Sequence, residues 1–167
     1  MDQISCDAAG GQLNSQPVAG ATPSLPSGYR GCRVLVVDDN VDSAQSMGML
    51  LELEGFTVDL AYDGDQALSR AALFQPNAVL LDIGLPGLNG YQVAQQLRER
   101  STSAGGMPIL LVAVSGYGRD TDRQTSRLAG FNVHLTKPAD PVEVLRVLDR
   151  HCAESSAYYP AGRRRGD

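Results

Sequence analysis

Val79-Leu80-Leu81-Asp82-Ile83-Gly84-Leu85-Pro86-Gly87-Leu88-Asn89-Gly90 is the stretch that decides the fold of this chain. Ala78 to Leu81 is an uninterrupted apolar run, short and preceded by Pro76-Asn77. It reads as a strand buried on both faces, the kind found in parallel sheets. The run ends in one carboxylate, Asp82, and passes at once into a Gly/Pro/Asn loop. Open parallel sheets bind their ligands at the carboxyl ends of the strands. An acid placed there serves as a metal ligand, a nucleophile or a helix cap. The cap fails on spacing, because the next helical pattern starts near Asn89, seven residues on. Asp82 therefore reads as a functional carboxylate.

The same pattern recurs on either side. Residues 34–37 are a second short apolar run, ending in Asp38-Asp39-Asn40. Residues 56–62 form a shorter strand with partial alternation. Residues 108–114 are the most apolar strand and end in Ser115-Gly116, and residues 133–136 reach Lys137-Pro138. Helical patterns fill the intervals. One follows Asn40 as N-cap, buries Ala44, Met47, Leu50 and Leu51, and closes at Gly55. One starts at Asp63, with Gln66 in capping-box spacing, and stops before Pro76. One follows Asn89 with Val93, Ala94 and Leu97 inward, and a polar one spans 119–129 before Gly130. The last begins at Asp140-Pro141, has Glu143 as its N3 acid, and is expected to end near Cys152. Strand and helix alternate five times with short connections, which demands an α/β doubly wound parallel sheet with helices on both faces.

At 167 residues the chain suits one domain with tails. Residues 1–28, rich in Gly, Ala, Ser, Gln and Pro, read as a disordered leader or linker. Residues 29–153 are the expected folded domain, and 154–167 a flexible tail carrying Arg163-Arg164-Arg165. A hydrophobic content of 43% supports a core, while a net charge of −5 argues against nucleic acid as a partner. Three cysteines, Cys6, Cys32 and Cys152, lack C-x-x-C spacing and are expected to be reduced thiols. There is no signal-peptide pattern and no run near the roughly 18 apolar residues of a membrane span. The expectation is a soluble cytoplasmic protein with no membrane contact of its own. Thirteen arginines stand against a single lysine, Lys137, whose compact ammonium suits a small anion site.

In a doubly wound sheet all strand carboxyl ends share one edge, so Asp38, Asp39, Asp82, Ser115 and Lys137 converge. Three carboxylates in one small space repel each other and call for a hard cation such as Mg2+. With a hydroxyl and an ammonium added, the set can hold a tetrahedral dianion against Asp82. That is a phosphoryl-transfer arrangement with Asp82 as nucleophile. Taken singly, Asp39 or Asn40 reads as a helix cap, Ser115 as a turn residue and Lys137 as a solvated charge. Their joint placement at strand ends favours the site.

Residues 33–152 resemble the receiver domain of bacterial two-component response regulators. The resemblance rests on residues 34–40, 80–90 and Lys137-Pro138, with Ser115 at the remaining position. It implies a flavodoxin-like five-stranded parallel sheet of order 2-1-3-4-5 with five helices. It also implies that Asp82 takes a phosphoryl group from the phosphohistidine of a histidine kinase or histidine phosphotransfer protein. Asp38, Asp39, Asp82 and the carbonyl of Gly84 would hold Mg2+. Ser115 and Lys137 would contact the phosphoryl group, and Gly116 would leave it accessible. The family implies a cis bond between Lys137 and Pro138. It implies a switch formed by Ser115 and the residue three before the lysine, an aromatic in relatives and His134 here. That switch would act on the face of the fourth helix, fifth strand and fifth helix. Such a domain assists its own phosphorylation and dephosphorylation and is not otherwise an enzyme. Gly84 and Tyr117 depart from the residues common at positions that influence phosphoryl lifetime.

The leader and the loop after Ser115-Gly116-Tyr117-Gly118 resemble receivers at the carboxyl ends of hybrid histidine kinases; the other expectation is a stand-alone regulator. Neither the leader nor the fifteen residues after Cys152 suit a DNA-binding output domain, and a monomer or weak dimer is expected. Two rivals remain. A haloacid-dehalogenase-like phosphatase needs a second acid two residues after the nucleophile, where Gly84 stands. A non-phosphorylated interaction module would use the stripe Arg119, Arg123 and Arg127.

Overall fold

Short apolar runs and capped amphipathic segments alternate strictly along the chain, and the structure follows them. It is a computed structural model that describes residues 31–103, 108–116 and 120–158. The strands are β1 (Arg33–Val37), β2 (Thr57–Ala61), β3 (Ala78–Asp82), β4 (Leu110–Ser115) and β5 (Val133–Thr136). Between and after them run α1 (Val41–Leu53), α2 (Gly64–Phe74), α3 (Gly90–Ser103), α4 (Asp120–Leu128) and α5 (Pro141–Tyr158). All strand pairs are parallel and the sheet order is β2-β1-β3-β4-β5, the doubly wound arrangement expected.

Period-two alternation sorts the strand side chains into two layers. Leu35, Val37, Val79 and Leu81 face α2 and α3, where they meet Ala67, Val93, Ala94 and Leu97. Val34, Val36, Leu80 and Val112 face α1 and α5, meeting Ala44, Leu51, Val144 and Leu148. Every residue of β3 is buried, as its unbroken apolar run requires.

Caps place the helix starts. Asn40 Oδ1 accepts the Ser43 N–H at 3.0 Å, and Asp140 Oδ1 accepts that of Val142 at 2.9 Å. Asp63 Oδ1 accepts the Gln66 N–H at 2.7 Å, but the Gln66 amide returns to the Asp63 carboxylate and not to its backbone. The reciprocal capping box lies instead at α3. There Asn89 Oδ1 accepts from the Gln92 N–H and Gln92 Oε1 accepts from the Asn89 N–H.

Two expectations are corrected. Cys32 and Cys152 are not reduced thiols: they form a disulfide, with Cα atoms 6.0 Å apart across a sequence separation of 120. Spacing rules detect local cysteine pairs, whereas this one exists because the sheet brings the start of β1 under α5. Helix α5 also continues past Cys152 to Tyr158. No glycine or proline interrupts that stretch until Pro160, which disfavours helix at the residue before it. Residues 1–28, Tyr117, Arg119 and Arg163-Arg164-Arg165 lie outside the described residues. Among the described residues no helix is long and apolar enough to cross a membrane.

Gly90 closes the loop after β3 against the backbone. A Cβ there would stand 2.5 Å from the Asp82 carbonyl oxygen and 2.7 Å from the Ile83 Cα. Since neither backbone atom can retreat without moving Asp82, Gly90→Ala is expected to cost about 2–3 kcal/mol. Urea unfolding of the two proteins measures this, and equal midpoints would contradict the packing described.

Candidate functional site

Register builds the site. Val37 pairs with Leu81, so the residues that follow them, Asp38 and Asp82, stand side by side at the carboxyl edge of the sheet. Ser115 pairs with Thr136, which puts Lys137 beside them on the next strand. The Lys137 N–H donates to the Ser115 carbonyl at 2.7 Å, and the Lys137–Pro138 bond is cis, as the resemblance implied. All five residues singled out in the sequence therefore lie on one edge.

Asp38 and Asp82 are each 7% exposed and Ser115 is 4% exposed, whereas Asp39 is exposed. One carboxylate oxygen from each of Asp38, Asp39 and Asp82 lies within 4.8 Å of the other two. The Lys137 Nζ donates to Asp82 Oδ2 at 2.6 Å and to Asp38 Oδ2 at 3.0 Å. Asp82 Oδ1 accepts the Gly84 N–H at 2.8 Å. Asp38 Oδ1 accepts the Asn40 N–H at 2.9 Å, and its Oδ2 also accepts from the Ser43 hydroxyl at 3.1 Å. Both buried carboxylates are thus fixed in orientation by short hydrogen bonds at each oxygen.

Burial at the sheet edge lowers the Lys137 pKa, but the hydrogen bonds and charges of Asp82 and Asp38 outweigh it. The ammonium is held above its ordinary range and stays charged at neutral pH. Three carboxylates against one ammonium leave a formal excess of two negative charges. An all-oxygen donor set with that excess, partly open to solvent through Asp39, is one that could hold a divalent metal ion.

The surroundings bear on access. Gly84 is exposed, and a Cβ there would meet Asp82 Oδ1 at 3.4 Å; around Gly116 a Cβ would meet nothing within 4 Å. Beside the site a cleft of about 600 Å³ opens between α1 and the start of α5, bordered by Met47, Leu50, Pro138, Ala139 and Val144. His134 is half-buried on β5, with its Nδ1 2.9 Å from the hydroxyl of Ser126, which is 1% exposed on α4. The ring therefore reaches α4 and not the acidic edge.

Sequence reasoning missed two contributors. Ser43, three residues past an N-cap, looks like ordinary helix surface, and nothing in its spacing announces the bond to Asp38. Arg98 looks like a solvated helix charge. Its guanidinium instead donates to the carbonyls of Ile109 (2.8 Å) and Gly130 (2.6 Å) and to Asn132 Oδ1 (2.8 Å). That clamps α3 to the segments leading into the strands that carry Ser115 and His134.

The chain has relatives among known proteins. Residues 34–149 match the family described as the response regulator receiver domain, and the chain belongs to that family. It is therefore a receiver of the two-component type. The chain is 34% identical over 119 residues to an uncharacterized 14.6 kDa protein in the sodA1 3' region of Leptolyngbya boryana, covering 71% of this chain and 88% of the relative. It is 33% identical over 118 residues to the protein PilH of Pseudomonas aeruginosa, covering 70% and 94%. The fold is shared with a Saccharomyces cerevisiae co-crystal structure of a histidine phosphotransfer protein and the receiver domain of its downstream response regulator. That match has a TM-score of 0.71 at 24% identity, over 76% of this chain and 92% of the other.

The ammonium competes with any cation for Asp38 and Asp82. Removing that positive charge is expected to tighten divalent-cation binding about tenfold, the size of the repulsion between a doubly charged ion and an ammonium a few ångströms apart when solvent screens it nearly as fully as bulk water. Lys137→Met compared with the natural protein in a Mg2+ titration, followed by the amide signals of residues 82–84, measures it. Weaker binding by the variant would contradict the competition.

Proposed function

We propose that this receiver accepts a phosphoryl group on Asp82 from the phosphohistidine of a histidine kinase or histidine phosphotransfer protein, with Mg2+ as cofactor. The observation that carries the reading is the Lys137 ammonium, held between Asp82 and Asp38 on the edge that Asp39 and Ser115 share. A carboxylate oxygen of Asp82 attacks phosphorus, the P–N bond to the donor imidazole breaks, and an acyl phosphate remains. The Gly84 N–H keeps the Asp82 carboxylate in a fixed plane for that attack. As negative charge moves onto the phosphoryl oxygens, Lys137 shifts one N–H from the carboxylate to a phosphoryl oxygen, and the Ser115 hydroxyl takes another. Asp38, Asp39, Asp82 and the Gly84 carbonyl are the groups that would hold Mg2+, which neutralises the repulsion between carboxylate and phosphoryl dianion when bound. Open space at Gly116 admits a macromolecular donor and, later, hydrolytic water.

Transmission runs through Ser115 and His134. Movement of the Ser115 side chain toward the phosphoryl group frees space beside β5, and the Ser126–His134 hydrogen bond supports a connection from that strand to α4. The output face is then α4, β5 and α5, with the exposed Arg123 and Arg127 on its α4 part. In this reading residues 29–153, with the remainder of α5 to Tyr158, are the signalling unit and 1–28 a leader or linker. The chain serves in the cytoplasm as the receiver of a hybrid histidine kinase or as a stand-alone regulator, assisting its own phosphorylation without being an enzyme in its own right. The partner class has support from the yeast complex of the same fold. A haloacid-dehalogenase-like phosphatase is disfavoured, because position 84 offers Asp82 a backbone N–H and no side-chain acid.

Two measurements test the reading. Incubation with acetyl phosphate or a phosphorylated histidine donor is expected to label the protein, with Asp82→Asn or excess chelator lowering the label at least about 20-fold; label that survives either change would sink the assignment. Beryllofluoride with Mg2+, as a stand-in for the phosphoryl group, is expected to shift NMR signals of His134, Ser126 and α4. Shifts confined to Asp38, Asp39, Asp82 and their neighbours would reject the switch.

A further inference from the structure

At the end of the sheet opposite the acidic edge, the residues flanking both half-cystines are bound to one asparagine. Arg33 follows Cys32; its N–H donates to Asn77 Oδ1 at 2.8 Å, and the Asn77 N–H donates back to the Arg33 carbonyl at 2.8 Å. His151 precedes Cys152, and its Nε2 lies 3.2 Å from the Asn77 carbonyl. A carbonyl only accepts, so Nε2 carries a proton, and burial lowers the pKa of His151, which favours the neutral ring. Cys32 and Cys152 themselves lie in the apolar layer between the sheet and α5, 8% and 1% exposed. Their Cα separation of 6.0 Å is that of an ordinary disulfide. Nothing in the phosphoryl site uses either sulfur.

We infer that Cys32 and Cys152 are a preorganised, reversible dithiol–disulfide couple whose redox state sets how firmly α5 is held to the start of the sheet. Asn77 is the reason the couple is reversible. With the S–S bond cut, the hydrogen bonds on Asn77 still hold the two thiols close together, at a high effective concentration. Reduction therefore loosens α5 without dispersing the pair. Cys32, the less buried of the two residues, is the point of attack. Its thiolate attacks a low-molecular-weight disulfide of the glutathione class, whose S–S bond breaks to release one thiolate and leave a mixed disulfide on Cys32. The Cys152 thiolate then attacks the Cys32 sulfur and expels the second small thiolate. Two electrons pass from the protein to the small disulfide, which departs as two thiols carrying the two protons. The couple stands independently of phosphotransfer. Its effect on signalling rests on the proposed α4–β5–α5 output face, because α5 is one part of that face.

The test uses the full chain with Cys6→Ser, which removes the remaining cysteine. Samples equilibrated in glutathione buffers of graded ratio are acid-quenched, alkylated and weighed by mass spectrometry. Parallel samples are followed by hydrogen exchange across residues 145–152. The disulfide is expected to form and reopen reversibly, with exchange in α5 at least tenfold slower in the oxidised form. Asn77→Ala is expected to need a buffer at least fivefold more oxidising for half-oxidation. His151→Phe keeps the Arg33 bonds of Asn77 and is expected to need a twofold shift, which serves if Asn77→Ala does not fold. Thiols that stay reduced in fully oxidised glutathione overturn the inference. So does equal exchange in both redox states, or an unshifted midpoint in the variants. Asp82 phosphorylation plays no part in the readout, so failure here leaves the phosphoacceptor reading intact, and the reverse holds.

Discussion

The ammonium of Lys137 between Asp82 and Asp38 is the interaction on which the rest of this structure converges. Two carboxylates at adjacent strand ends, both largely shielded from water, would repel each other and disfavour the edge that carries them. One compact cation, shared at 2.6 Å and 3.0 Å, offsets that repulsion and leaves enough negative charge for a second, external cation. An arginine at position 137 would present a planar fork and not a point charge, and could not be shared between the two carboxylates in the same way. The chain uses arginine at every other basic position, which makes the single exception chemically informative.

That arrangement requires strands of matched register, and the fold supplies them through burial. β3 is enclosed on both faces, so a one-residue slip would exchange its two apolar faces and displace Asp82 along the edge. Helix caps then fix where each helix starts after the loops. Asn40 and Asn89 start α1 and α3 immediately beyond the acidic loops, so the Asp38 and Asp82 backbones are held from both sides. Gly90 permits the tight return of the second loop. Arg98 does comparable work at the far end, with three hydrogen bonds joining α3 to the segments that lead into the strands carrying the hydroxyl and the histidine.

The two ends of the sheet are chemically distinct. The carboxyl edge is acidic and open to the cleft beside α1. At the amino edge the Asn77 hydrogen bonds flank the Cys32–Cys152 link, and together they hold α5 in place. Since α5 spans from one edge to the other, constraints at the two ends act on the same helix.

Much of this was legible in the sequence because it is local. Alternation, apolar runs and capping residues are set within a few positions, so the order of strands and helices could be read directly. The rule that parallel strands place their carboxyl ends on one edge then gathered Asp38, Asp39, Asp82, Ser115 and Lys137 without coordinates. Strand order came from the family resemblance and not from periodicity. What the tertiary structure alone decided depends on distances between elements that no spacing rule encodes. These are which oxygens share the ammonium, the bond from Ser43 to Asp38, the Arg98 clamp, the contact of His134 with Ser126, and the meeting of Cys32 with Cys152. The cysteines show the reason most plainly. Their separation of 120 residues carries no local signal, and only the packing of α5 across the start of β1 brings their sulfurs together.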